Sequence, residues 1–250
     1  AVDTPNRIVA SEFKFAPKNK DKEGKELYRG WSDLMIAAWE GRLKQVQILI
    51  QNGANVNAQN KVGDTALLLA AKKGHHDIIR ELVSKGANVN LTQERDLTAL
   101  MQAARQGYAE SIQILLSKGA DPNVTDKTQK TALMYAIRSG DSESVNILLR
   151  HPKVNKDIVD NDGNTALAMA LGQGLTAAAM DLINAGARLS DIDRSGNDAL
   201  WLAAKTAQTK VVRLLLAKGK DPNIANKSGE TALMGAVREG SLSTVRLLLR

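Results

Sequence analysis

The segment Gly63-Asp-Thr-Ala-Leu-Leu-Leu-Ala-Ala71 decides the fold of this 250-residue chain. After it come Gly74-His75, the apolar pairs Ile78-Ile79 and Leu82-Val83, and Gly86-Ala87-Asn88-Val89-Asn90. The Ala-Leu pair returns at Ala66, Ala99, Ala132, Ala166, Ala199 and Ala232, at intervals of 33, 33, 34, 33 and 33 residues. A period of that length marks one supersecondary unit stacked on copies of itself. No copy can bury its own apolar face, so neighbours must do it, and the two ends need capping.

From Thr65 to Lys73, Ala66, Leu67, Leu69, Ala70 and Ala71 predict a short helix whose small side chains let a neighbouring helix approach closely. Thr65, Thr98, Thr131, Thr165 and Thr231 stand at the N-cap, where a hydroxyl satisfies an otherwise unpaired N–H of the first turn. Gly41, Gly74, Gly107, Gly140, Gly174 and Gly240 end that helix, at a position that favours a residue free to take positive φ. A second helix follows, with apolar residues at helical spacing such as Ile112, Leu115 and Leu116, or Val212, Leu215 and Leu216. Gly86, Gly119, Gly186 and Gly219 end it, and a loop rich in Asn and Asp leads into the next copy.

This frame resembles the ankyrin repeat over residues 31–250, as seven repeats with the last incomplete. The resemblance implies an all-α solenoid of stacked helix-turn-helix units with loop or β-turn fingers. The chain departs from the family's Thr-Pro-Leu-His element: Thr-Ala-Leu is followed by Leu68, Met101, Met134, Ala168 or Met234, and Trp201 stands at the same place. Apolar contact thus replaces a histidine that ties neighbouring repeats. Repeat four has His151-Pro152-Lys153 and one extra residue in place of a Gly-Ala turn. Repeat five has a second helix poor in charge, Leu175-Thr-Ala-Ala-Ala-Met180, which reads as a small contact patch or a weak spot.

Residues 1–30 do not fit the repeat. They form a basic N-terminal arm with Phe13, Phe15 and a lysine-rich stretch from Lys18 to Lys25; the two phenylalanines and Leu27 are expected to cover the open end of repeat one. At the other end Arg246 and Arg250, with Ser241, Ser243 and Thr244, are expected to give the last helix a polar outer face.

The content of 43% hydrophobic and 24% charged residues suits a chain with a sizeable core, and no apolar run approaches the ~20 residues of a membrane span. Cysteine is absent. That excludes disulfides and thiol chemistry and agrees with an oxidising compartment, where unpaired thiols are a liability. Ala1 is the kind of small residue that signal-peptidase cleavage leaves; a truncated start reads the same. Export to the periplasm is favoured slightly over a cytoplasmic location.

No catalytic constellation emerges, and neither metal nor cofactor is expected. Of the three histidines, His75 sits in the repeat frame, where Arg42, Tyr108, Asp141 and Leu175 are its equivalents. His75 and His76 are adjacent and point apart on a helix rather than sharing a metal, and His151 lies elsewhere. The Gly163 and Gly229 turns lack the Gly-Lys-Ser/Thr of a phosphate loop. Acidic residues such as Asp121, Asp160, Asp193 and Asp221 occupy loop positions, where Asp bonds nearby backbone.

Function is expected where the repeats differ. The ankyrin resemblance implies a partner held by the finger tips and the exposed side of the first helix, which line a concave groove. The position two before each helix-ending residue reads Trp39, Lys72, Arg105, Arg138, Gly172, Lys205 and Arg238, five of them basic. The next position (Glu40, Lys73, Gln106, Ser139, Gln173, Thr206, Glu239) has no such bias. Cations favour the negative end of a helix, but that preference predicts both columns basic and does not explain why only one is. Among eight aromatics, Tyr28, Trp31, Trp39, Tyr135 and Trp201 fall at tip or first-helix positions, and Trp, Tyr and Arg dominate interface hot spots.

The partner-binding residues expected are therefore Tyr28, Trp31, Trp39, Lys72, Lys73, Arg105, Tyr135, Arg138, Trp201, Lys205 and Arg238. They describe a non-enzymatic binding module for an acidic protein surface. If the chain is exported it resembles secreted bacterial ankyrin proteins, and an inhibitor protecting its producer from a periplasmic cell-wall peptidase is the specific expectation. An intracellular scaffold is the alternative. Nucleic acid is the weaker reading of the net charge of +7, because the basic residues come one per repeat.

Overall fold

The computed structural model describes residues 28–190 and 192–250. The expected cap of Phe13, Phe15 and Leu27 and the lysines of the arm lie outside the described residues. The described ones form fourteen helices, paired as α1 (Asp33–Trp39) and α2 (Leu43–Gln51), α3 (Ala66–Lys73) and α4 (His76–Ser84), α5 (Ala99–Gln106) and α6 (Ala109–Ser117), α7 (Ala132–Ser139) and α8 (Ser142–Arg150), α9 (Ala166–Gly172) and α10 (Thr176–Asn184), α11 (Ala199–Lys205) and α12 (Thr209–Ala217), α13 (Ala232–Glu239) and α14 (Leu242–Leu248). Odd-numbered helices stack on odd and even on even, two layers joined by finger loops. Among the described residues the only β-structure is an isolated bridge between Ala225 and Thr231. The all-α solenoid read from the period is the observed fold.

The caps explain the helix starts. Thr65, Thr98, Thr131 and Thr165 each accept from the N–H three residues on; Ser32 and Asp198 do the same in repeats one and six. Thr231 holds the position without the side-chain bond. Fingers turn on an Asn or Asp whose Oδ1 accepts from the N–H groups two and four residues on. Asn60 takes those of Val62 and Asp64, Asp126 those of Thr128 and Lys130, and Asp160 those of Asp162 and Asn164.

Alanine and leucine then fill the seams. Ala37, Ala70, Ala103, Ala136, Ala170, Ala203 and Ala236 are fully buried, as are Leu82, Leu115, Leu148, Leu182 and Leu215 of the second helices. Polar groups cross the same seams. His75 Nε2 donates to the Trp39 carbonyl at 3.1 Å, and in repeat six Gln208 Nε2 donates to the Leu171 carbonyl at 2.7 Å from the equivalent place. At the loop end, Asn57 donates to Gly86 O and accepts from Asn88 N, Asn90 serves Gly119 and Asp121, and Asn123 serves Lys153 and Asn155. Asp157 continues the row by accepting from Arg188 N.

Repeat six breaks the glycine rule. Its helix-ending residue is Ala207, at φ 55° where the other six repeats place glycine at 71–75°. A Cβ in the left-handed region costs ~1–2 kcal/mol, while glycine costs more entropy to fix. Ala207→Gly is therefore expected to stabilise the protein by about 0.5–1 kcal/mol, measurable as a higher urea midpoint at unchanged slope. A lower midpoint would show that the methyl group packs productively.

The end of the stack corrects one expectation. Thr244 is fully buried and bonded to Thr209 and Ser241 rather than part of a polar outer face. Met234, Val237, Leu242 and Leu249 are 52–67% exposed instead, at places where earlier repeats are covered by the next.

Candidate protein-binding face

The column of seven ends the inner helices, so repeat register places it along one side of the stack. Lys72, Arg105, Arg138, Lys205 and Arg238 are all exposed and Trp39 is half-buried. They gather into three groups. At the N-terminal edge, Tyr28 and Trp31 lie 5.4 Å apart between ring centroids, and Trp31 meets Trp39 edge-on at 5.6 Å. The Lys73 and Lys72 ammonium groups sit 4.2 and 5.4 Å from the Trp39 ring centre, within reach of a cation–π attraction. The Tyr28 hydroxyl donates to Glu40 at 3.1 Å, and Glu40 pairs with Arg42 at 2.8 Å. Trp39, Glu40, Arg42, Lys73, His75 and Tyr108 line a shallow open depression beside this ladder.

The central group is built around Tyr135. Its hydroxyl donates to Asp126 Oδ2 at 2.5 Å, and Arg105 and Arg138 are close enough to act on it electrostatically. Burial, then the bond to the Asp126 carboxylate, pushes the phenol up to about 12 against the pull of the two arginines. Burial alone would raise Asp126; bonds from Tyr135, Lys130 and Thr128 outweigh it and hold the carboxyl below its ordinary value. Neither Arg105 nor Arg138 forms an ion pair with a described residue. Among the described residues, then, two guanidinium groups without an ion pair lie near a tyrosine whose hydroxyl is tied to Asp126.

This coupling has a pH signature. A raised folded pKa keeps Tyr135 protonated in the native state, so its contribution is fully present below the ordinary value of ~10 and fades as pH rises through about 12. Phenolate absorbance should show Tyr135 still un-ionised after an unfolded tyrosine has titrated, and Asp126→Asn should lower its midpoint. An ordinary tyrosine titration in the native protein would disprove the bond.

The third group corrects the reading of Trp201. Expected as an exposed anchor, its ring is 5% exposed, with Nε1 buried and unpartnered among the described residues. It occupies the column of Met35, Leu68, Met101, Met134 and Ala168, which is buried in repeats one to five; an apolar residue in every copy was the available signal. Lys205 covers it, Nζ lying 4.8 Å from the ring centre. Arg238 forms an ion pair with Glu230, whose carboxyl is held below its ordinary value by that hydrogen bond. Its charge is therefore already matched. Sequence spacing did not give the finger-base pairs Lys130–Asp160 at 3.2 Å and Lys220–Asp198 at 3.3 Å, which join one finger loop to the next.

Among the described residues no group of three or more His, Cys, Asp or Glu could hold a metal, and no helix is long and apolar enough to cross a membrane. Seven stacked helix pairs joined by finger loops define a repeat solenoid. The chain belongs to the ankyrin-repeat family: the family's repeats match residues 34–126, 118–193 and 174–250. Ankyrin-repeat domains generally bind other proteins and typically lack catalytic activity. The chain is similar to the human ASB11 ankyrin repeat domain, at 27% identity and TM-score 0.72, covering 88% of this chain and 97% of that one. It is also similar to the ankyrin repeat domain of Bcl-3, a member of the IkappaB protein family, at 26% identity and TM-score 0.77, covering 88% and 99%. No curated protein matches the sequence.

Proposed function

We propose that this chain binds the acidic surface of a folded protein along the face that runs from Trp39 through Arg105, Tyr135 and Arg138 to Lys205. The observation that carries the reading is the pair of guanidinium groups at Arg105 and Arg138, exposed and without a carboxylate of the described chain. Charges left unmatched at the middle of a face favour an oppositely charged partner and speed its approach. Trp39 and its neighbours add apolar anchoring at one end. The buried Trp201 supports the face from below.

The partner we name is an exported cell-wall peptidase that the chain would block by covering its acidic face. The test compares wild type with a variant carrying Glu at positions 72, 105 and 138. Wild type should reduce wall-hydrolase activity in the host's exported fraction in proportion to added protein, and the variant should not. Equal inhibition by both would refute binding through this face. Inhibition by neither, with acidic proteins still captured by wild type alone, would leave the face and remove the peptidase.

A further inference from the structure

The face has one gap. Its column carries a large side chain in every repeat except the fifth, where Gly172 stands, and a Cβ built there meets nothing within 4 Å. The seam beside it is open as well. In the first three joints the residue before the second helix closes over the glycine of the preceding repeat. A Cβ on Gly41, Gly74 or Gly107 would come within 2.8–2.9 Å of His75, Tyr108 or Asp141. At the fourth joint Leu175 leaves Gly140 uncovered, with nothing within 4 Å. The result is a notch of about 270 Å³ between repeats four and five. Buried Ile137, Val145 and Ala178 form part of its lining with the more accessible Ser142, Leu175 and Ala177.

We propose that this notch is a specificity subsite that takes one uncharged aliphatic side chain from the acidic partner. The subsite rests on the acidic-partner reading of the basic face. The notch is small beside the ~300–1,000 Å³ of small-molecule sites, which points to a single side chain. Its lining is mostly aliphatic and carries no charged side chain, with the hydroxyls of Ser142 and Thr176 as its polar part, and Asp141 and Glu143, on either side of Ser142, disfavour a carboxylate inside it. It adjoins the face, since Gly140 and Gly174 follow Arg138 and Gly172 by two residues. Arg138 and Lys205, one repeat to either side of the gap, match acidic residues that flank the inserted side chain. Packed helices lie ~10 Å apart, so two repeats span about 20 Å, which an extended peptide crosses in about six residues.

The probe is a labelled peptide with two aspartates six positions apart and a central leucine, compared by fluorescence anisotropy with the same peptide carrying central alanine. The leucine peptide should bind about tenfold more tightly, the scale expected for burying a few methylene groups. Ala177→Phe and Ser142→Phe fill the notch from its two walls at exposed positions, and each should abolish the leucine preference while thermal melting stays unchanged. A charge-reversed Arg138→Glu/Lys205→Glu chain separates the two readings. Uniform weakening of both peptides tests the face, and the leucine-to-alanine ratio tests the notch. Equal binding of the two peptides to wild type, no binding of either, or a preference that survives both filled variants overturns the subsite.

Discussion

Replacing Lys72, Arg105 and Arg138 together by Glu is expected to weaken capture of an acidic partner about a hundredfold or more. Each change turns an attraction into a like-charge contact, and such juxtapositions together cost several kcal/mol; ~3 kcal/mol is about two decades in Kd. Association should slow most, because long-range steering changes sign, and the wild-type affinity should fall with added salt while the variant's should not. Folding should be nearly unaffected. All three side chains are exposed, Arg105 and Arg138 hold no described carboxylate, and Lys73 remains over Trp39 when Lys72 is lost. Changes of that kind stay within about 0.5 kcal/mol. Reversing Lys210 and Arg213, exposed on α12 of the other layer, is the matched control and should leave binding within about twofold. Arg80 serves less well there because it already pairs with Glu110 at 2.9 Å. Calorimetric titration of both variants decides the matter, and equal affinity for wild type and the triple variant would place the function on another surface.

Trp201→Ala is expected to cost about 3–5 kcal/mol, the range for emptying a large buried aromatic site. The ring is 95% covered and Lys205 lies over it, so its loss leaves a cavity beside α11. In a stack where each repeat touches only its neighbours, the damage should stay local. Amide exchange should accelerate in repeats six and seven first, with repeats two to four protected as before. Trp201→Phe keeps a ring and removes the buried Nε1–H that has no acceptor among the described residues, so it should recover most of the loss. A Trp201→Ala protein that melts normally and fails only in binding would restore the residue as a contact anchor.

The sequence made the repeating parts legible because each is a local rule applied again. Thr65 and its equivalents, the glycines from Gly41 to Gly240 and the Ala-Leu runs needed nothing but their own neighbourhood. Exceptions to those rules were illegible for the same reason. Asp96 and Gln129 hold positive φ, like Ala207, where sister repeats have glycine, and only the stack obliges them to. Gln208 does the work of His75 with a different side chain, while Lys130–Asp160 and Lys220–Asp198 join residues whose pairing no helical or strand period encodes. The basic column was visible as a column. That Arg238 is matched by Glu230 whereas Arg105 and Arg138 are not depends on finger geometry, and so does the notch at Gly140.

The row of Asn57, Asn90, Asn123 and Asp157 fastens each loop to the next repeat alone. No strut of this row skips a repeat, so the molecule resists shear at the four joints the row spans yet has little to oppose a small bend shared among all its joints. It should behave as a leaf spring. A slight opening or closing of its curvature, spread over six joints, could follow a curved target with only small distortion at any one, and tension along its length would be released by peeling repeats off the ends rather than by tearing the middle.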